Sequence, residues 1–265
     1  MDSLFYFLAT GLAAGILAGL LGIGGGIVTV PALIFIFTTQ HYPDSMLLHL
    51  AIGTSLTAIL FTSISSAWAH HREHAVDWAR VGGFSIPLIL GAVLGAVAAR
   101  FWSAQYLLIV LGIVEILLAL QIGFQVNPST IPAPKRPWLK YPAAALVAFI
   151  SVLVGIGGGL FMVPLLRWDG QSMNEAVATS SACGIPIAAC GALGFAVLGD
   201  DHTTTVPGVI GYIHIVALVC VASMSVIGAQ LGARWAHRIP VLWLQRVFAI
   251  VLFALGARIL WRAAF

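Results

Sequence analysis

The sequence predicts an all-α polytopic membrane protein of about eight transmembrane helices in two four-span repeats, and three observations carry that reading. Of 265 residues, 60% are apolar and only 8% charged, with a mean hydropathy of +1.04. A soluble domain carries about a quarter charged residues, so this chain cannot clothe a water-facing surface, and a soluble globular enzyme is excluded. Apolar runs of the ~20 residues needed to cross a bilayer recur along the chain. Finally, Trp68, Trp78, Trp102, Trp138, Trp168, Trp235, Trp243 and Trp261 all fall at or just beyond the ends of those runs. That is where an amphipathic ring meets the headgroups.

In chain order the runs are 4–37, 46–69, 81–99, 106–122, 142–166, 176–198, 206–231 and 241–260. The first is too long for one straight span: 34 residues of helix extend about 50 Å against a core of about 30 Å. Gly22-Ile23-Gly24-Gly25-Gly26 lies in its middle, with Pro31 beyond. Each interior glycine costs about 1 kcal/mol relative to alanine and a proline about 3, so an unwound segment is expected there. The fifth run repeats the arrangement with Gly155-Ile156-Gly157-Gly158-Gly159 and Pro164.

Between the fourth and fifth runs, residues 125–141 are hydrophilic and include Pro128, Pro132, Pro134 and Pro137, with Pro142 just after and Lys135, Arg136 and Lys140 interspersed. This reads as a semi-rigid linker dividing a first repeat, 1–124, from a second, 142–265. The duplication shows in three ordered matches. Leu20–Pro31 agrees with Leu153–Pro164 at eight of twelve positions; Ala51, Thr54 and Ser55 agree with Ala176, Thr179 and Ser180; Gly91–Ala96 agrees with Gly228–Ala233 at five of six. Four spans per half would set both halves in the same orientation. An extra re-entrant pass in the first block would invert one against the other.

Paired, glycine-interrupted segments mark a transporter's binding site. Amides freed at a helix start carry partial positive charge and favour an anion. The expected site therefore comprises Gly22, Gly24, Gly25 and Gly26 with Gly155, Gly157, Gly158 and Gly159, flanked by hydroxyl donors Thr54, Ser55, Thr179 and Ser180. Valine at Gly25 or Gly158 should block transport and leave expression intact. For the hydroxyls the competing reading is a bond back to their own helix. Gly91, Gly95, Gly228 and Gly232 are read as small residues for tight helix packing. Neither glycine run is a phosphate loop, since no Gly-Lys-Ser/Thr follows.

Glu115, mid-span, is a candidate for proton coupling or a structural polar contact, and His214 carries the same two readings. Its repeat partner Leu252 makes any role of Glu115 asymmetric. His70, His71, Glu73, His74 and Asp77 read as a solvated loop rather than a metal site. Cys183, Cys190 and Cys220 lie in apolar runs without C-x-x-C spacing and read as buried small hydrophobes. No cofactor is expected, no Ser/His/Asp set or H-E-x-x-H motif points to an enzyme, and a net charge of +3 is too small for a nucleic-acid partner. Asp2 is the only early charge, so no cleaved signal peptide is expected. The expected partners are a small anion, the lipid bilayer and a coupling proton, with oligomeric state left open. Under eight spans the basic residues divide seven against five between the two faces, which leaves the positive-inside rule undecided.

The GIGGG-x-x-x-V-P motif in both halves, Ala51–Ser55 with Ala176–Ser180, the late G-A-x-L-G-A motif and His74-Ala75-Val76-Asp77-Trp78 together resemble the sulfite exporter TauE/SafE family. The resemblance covers essentially the whole chain. It implies a secondary transporter of the bacterial inner membrane whose substrates are sulfite, sulfoacetate and related anions. A passive channel for small anions is the alternative consistent with the same dipoles.

Overall fold

The computed structural model describes the backbone of residues 2–21, 25–124, 137–197, 199, 208–235 and 241–264. Among these residues the helices are α1 (Asp2–Leu21), α2 (Gly26–Thr39), α3 (Asp44–Arg72), α4 (Trp78–Phe101), α5 (Ala104–Gly123), α6 (Lys140–Val154), α7 (Gly159–Trp168), α8 (Met173–Val197), α9 (Ile215–Trp235) and α10 (Val241–Ala264). A short antiparallel pair, β1 (Val209–Ile210) and β2 (Ile213–His214), leads into α9. The all-α polytopic class holds: α3, α4, α5 and α8 are each long and apolar enough to cross a membrane, with shorter apolar helices beside them.

Both glycine runs break a helix, and at each break the chain turns back on itself. A Cβ built on Gly25 would lie 3.3 Å from the Ala14 carbonyl oxygen, eleven positions earlier in the chain. Phe37, near the end of α2, packs on Phe7, near the start of α1, with ring centroids 5.9 Å apart. In the second half Lys140, at the start of α6, pairs at 3.0 Å with Asp169, just past the end of α7. Thus α1–α2 and α6–α7 are two antiparallel hairpins. α2 and α7, at 14 and 10 residues, extend only about 21 and 15 Å, so their tips stop inside the bilayer. Helix resumes at Gly26 and Gly159, which places Pro31 and Pro164 inside the short helices rather than in the unwound segments.

This changes the expected pass count. Each long block is a hairpin of two helices instead of one interrupted span, so direction reverses at every one of ten helices. The packing agrees. α1 and α9 run parallel, Gly11 against Val221 and Gly15 against Ser225. α4 and α6 also run parallel, Gly91 against Ala145 and Gly95 against Phe149. α3 and α8 are antiparallel, with Ser66 bonded to Ser181 and Leu56 against Gly191. So are α5 and α10, where Gln105 donates to the Ala263 carbonyl and Gly112 meets Gly256.

Contacts that cross between the halves recur at the sequence offsets: Gly91 abuts the Ala145 carbonyl, and Gly228 abuts the Leu12 carbonyl. These are the close backbone approaches expected of small residues. Five helices in each half, alternating throughout, set the halves in opposite directions, the inverted arrangement of the two left open above.

The molecule therefore has two ends. The Arg80 end carries the α3–α4 turn, the start of α6 and the α7–α8 turn, tied by Arg80 and Lys140 to Asp169. The His214 end carries the start of α1, the α2–α3 turn and the start of α9, where His214 is boxed by Phe7, Phe37 and Tyr42.

Candidate functional site

The two hairpin tips enter from opposite ends and meet halfway along α3. Ile59 is the sixteenth of its 29 residues, and its side chain touches both tips, since a Cβ on Gly26 would come 2.6 Å from Ile59 Cδ1 and one on Gly157 would collide with Ile59 as well. The tips also touch each other: the Gly155 carbonyl oxygen lies 2.9 Å from that Gly26 position.

The second tip owes its form to two left-handed glycines. Gly155 (φ 73°) closes α6: its N–H donates to Val152 and that of Ile156 to Ser151, at 3.3 and 2.9 Å. This paired closure of a helix end favours glycine, which has no Cβ to clash. Gly158 (φ 72°) then turns the chain into α7. Gly25, which opens α2, is right-handed (φ −72°), so the tips are equivalent in place but not in conformation. Neither α2 nor α7 has a side-chain cap at its start. Two helix N-termini, each with partial positive charge, converge at mid-membrane. Gly22 and Gly24 lie outside the described residues.

The structure divides the four expected hydroxyls. Ser55 reaches the tips, donating to the Gly155 carbonyl at 2.9 Å. Ser180 instead bonds back to Val177 in its own helix, at 2.8 Å. The threonines serve elsewhere. Thr54 Oγ1 accepts the His214 backbone N–H at 2.9 Å, and Thr179 Oγ1 accepts the Asp77 N–H at 3.1 Å. These bonds are counterparts: each threonine pins the residue just before the helix start of the opposite half, α9 or α4.

His214 continues the correspondence. Its Nδ1 accepts the Ala217 N–H at 3.1 Å, while its Nε2–H donates to the Tyr42 hydroxyl at 3.0 Å. Asp77 caps α4 by accepting the Arg80 N–H at 3.1 Å. That amide bond, with the Arg80 charge behind it, holds the Asp77 carboxyl below the usual carboxylate range. His214 is thus the helix cap opposite Asp77, with both ring nitrogens engaged. The polar segment around His71 is a helix-end arrangement, in which Trp78 Nε1–H donates to His71 Nδ1 at 3.0 Å.

Among the described residues, Glu115 and Ser151 are fully buried with no hydrogen bond to any side-chain oxygen. Glu115 is fully buried between α5 and α10, its Cβ against Gly256, and neither carboxylate oxygen is hydrogen bonded. Ser151, on α6, is fully buried with a free hydroxyl, 3.5 Å from where a Gly158 Cβ would stand. A serine in an apolar run reads as a small residue, and its counterpart is Ala18, so sequence gave no signal for Ser151. Its place at the tip adds it to the candidate set.

A family model for the sulfite exporter TauE/SafE matches residues 7–259. The chain belongs to the TauE/SafE family. Relatives include a probable membrane transporter protein of Haemophilus influenzae, 29% identical over 92% of this chain and 93% of its own. Two from Bacillus subtilis, the probable membrane transporter proteins YunE and YdhB, are 27% and 30% identical, covering 96% and 85% of this chain and 96% and 87% of their own. This TauE/SafE protein is accordingly a multi-pass membrane transporter, which implies a small substrate handled within a lipid bilayer.

Proposed function

We propose that this protein is a secondary transporter of the bacterial inner membrane that exports a small anion, a sulfur oxyanion or sulfonate such as sulfite or sulfoacetate, by alternating access. The two halves act as inverted repeats, and the anion binds where their hairpin tips meet. The observation that carries the reading is the convergence of two uncapped helix starts at mid-membrane, with no cationic side chain in either glycine run. Dipoles and hydroxyls hold an anion without the fixed counter-charge that would slow its release. Backbone at Gly25, Gly26 and Gly157–Gly159, with Ser55 and Ser151, forms the binding set. Thr54, Thr179 and Ser180 support it from the helices behind.

Glu115 supplies the coupling proton. A carboxylate with neither oxygen paired is very costly to bury charged, so it is held neutral, and it ionises only when α5 and α10 part and admit water. Proteoliposome counterflow with sulfite, sulfoacetate, sulfate and chloride tests the reading. Exchange of a sulfur anion supports it; a conductance without counterflow makes the protein a channel.

A further inference from the structure

Matching positions on α3 and α8 differ in chemistry on the two sides of the tips. Toward the Arg80 end the seam between these helices presents Ser63, Ser66, Ser181 and Gly184. Ser66 donates to Ser181 at 3.2 Å, and Ser63 Oγ lies 3.0 Å from a Cβ position on Gly184. The three serines are half-buried. Their counterparts on the other side, 125 residues away in sequence, are Ala188, Gly191 and Leu56, with Ile59 opposite Gly184. All four are buried, and Leu56 closes directly on Gly191. One side of the tips is sealed with hydrocarbon and the other is lined with hydroxyls. Ser151 stands at the tip itself, beside Gly158, fully buried and partnerless. Native proteins rarely bury a hydroxyl that finds no partner.

Charge assigns the two sides. Arg72, Arg80, Lys140, Arg167, Arg234 and Arg246 lie toward the Arg80 end of their helices or turns. Arg100, Arg258 and Arg262 belong to the His214 end. The seven-against-five division rested on eight passes. With ten, the basic residues of the described segments fall six against three, and the positive-inside rule sets the Arg80 end in the cytoplasm.

We propose that a small oxyanion reaches the hairpin tips from the cytoplasm along the Ser63–Ser66–Ser181 seam, and that the Ser151 hydroxyl at the tip receives it. The inference rests on the tip site proposed above and adds its route and its facing.

The test uses the full chain with Cys183, Cys190 and Cys220 replaced by alanine. Ser66→Cys, Ser181→Cys and, as a marker of the Arg80 end, Glu73→Cys are exposed to a membrane-impermeant thiosulfonate in inside-out and right-side-out vesicles. All three are expected to react in inside-out vesicles only. Modification at 66 or 181, but not at 73, should cut anion counterflow at least ten-fold, and millimolar sulfoacetate should slow the seam reactions several-fold. If Glu73→Cys reacts while neither seam cysteine does from either face, the seam is sealed and the proposal is wrong. Reaction from the outer face alone overturns the facing. Seam cysteines that react as expected while counterflow persists leave the facing intact and refute the seam as the anion's route. Ser151→Ala should raise KM at least ten-fold without lowering the unfolding temperature, because a partnerless hydroxyl adds nothing to the fold; an unchanged KM removes Ser151 from the route.

Discussion

Thr54→Val separates a threonine that binds substrate from one that holds two halves together. Valine matches threonine in shape and removes only the acceptor that takes the His214 N–H at 2.9 Å. Thr54 is fully buried and His214 is 7% exposed, so no water replaces the lost oxygen. An amide stranded in this way costs about 1–3 kcal/mol. For a chain of this size each kcal/mol lowers the unfolding midpoint by roughly 2–4 °C, so a drop of about 2–12 °C is expected in detergent. Thr179→Val should cost less, roughly 1 kcal/mol, because its partner Asp77 lies in a half-buried turn that solvent can reach. Thr54→Ser keeps the oxygen and should recover most of the loss, with KM near that of the unsubstituted protein throughout. The measurements are thermal unfolding of purified protein and counterflow kinetics on the same preparations. If Thr54→Val melts with the unsubstituted protein and raises KM about five-fold, as loss of one substrate hydrogen bond would, the hydroxyl belongs to the anion and the pin is wrong.

Glu115→Gln should retain counterflow yet lose uphill transport driven by a pH gradient; undiminished uphill flux would remove Glu115 from coupling. Glu115→Leu, which copies its counterpart Leu252, should melt no lower than the unsubstituted protein, since no hydrogen bond is lost. The tips should differ in tolerance, contrary to the equal effect expected from sequence. Gly25→Ala keeps a right-handed φ and needs only a slight shift from Ala14. Gly158→Ala forces a side chain into the left-handed region, at roughly 1–2 kcal/mol, and into Ile187. Expression and counterflow of the pair measure this, and equal behaviour would contradict the conformations described.

The glycine breaks were legible because four glycines in five residues defeat a helix wherever they fall. The direction of the chain beyond them was not, since apolar residues cover an interrupted span and a doubled-back hairpin alike. The one available signal was the length of the first run, too great for a single crossing. That ambiguity propagated into the orientation, because the basic residues between the two miscounted passes change sides relative to those beyond them. The threonines were found by repetition, but their partners were hidden: His214 is 160 residues from Thr54, and no local pattern reports a bond at that distance. Glu115 stood out because charge inside an apolar run is rare, whereas a serine there is ordinary, so Ser151 passed unnoticed.

The exchange of packing partners between halves has a consequence for biogenesis. The helix against which α1 packs most closely is α9, where Leu12 and Ile16 meet Gly228. The ribosome supplies it about 200 residues later, on the order of 10–40 s at typical elongation rates. For about the first two-thirds of that interval, until residues 155–159 are made, the first hairpin stands in the bilayer with its glycine-bearing tip lacking the second tip that later meets it. Neither half is a self-sufficient folding unit. Two separately synthesised halves should assemble when both are present in one membrane, and either alone should be a substrate for quality-control proteolysis.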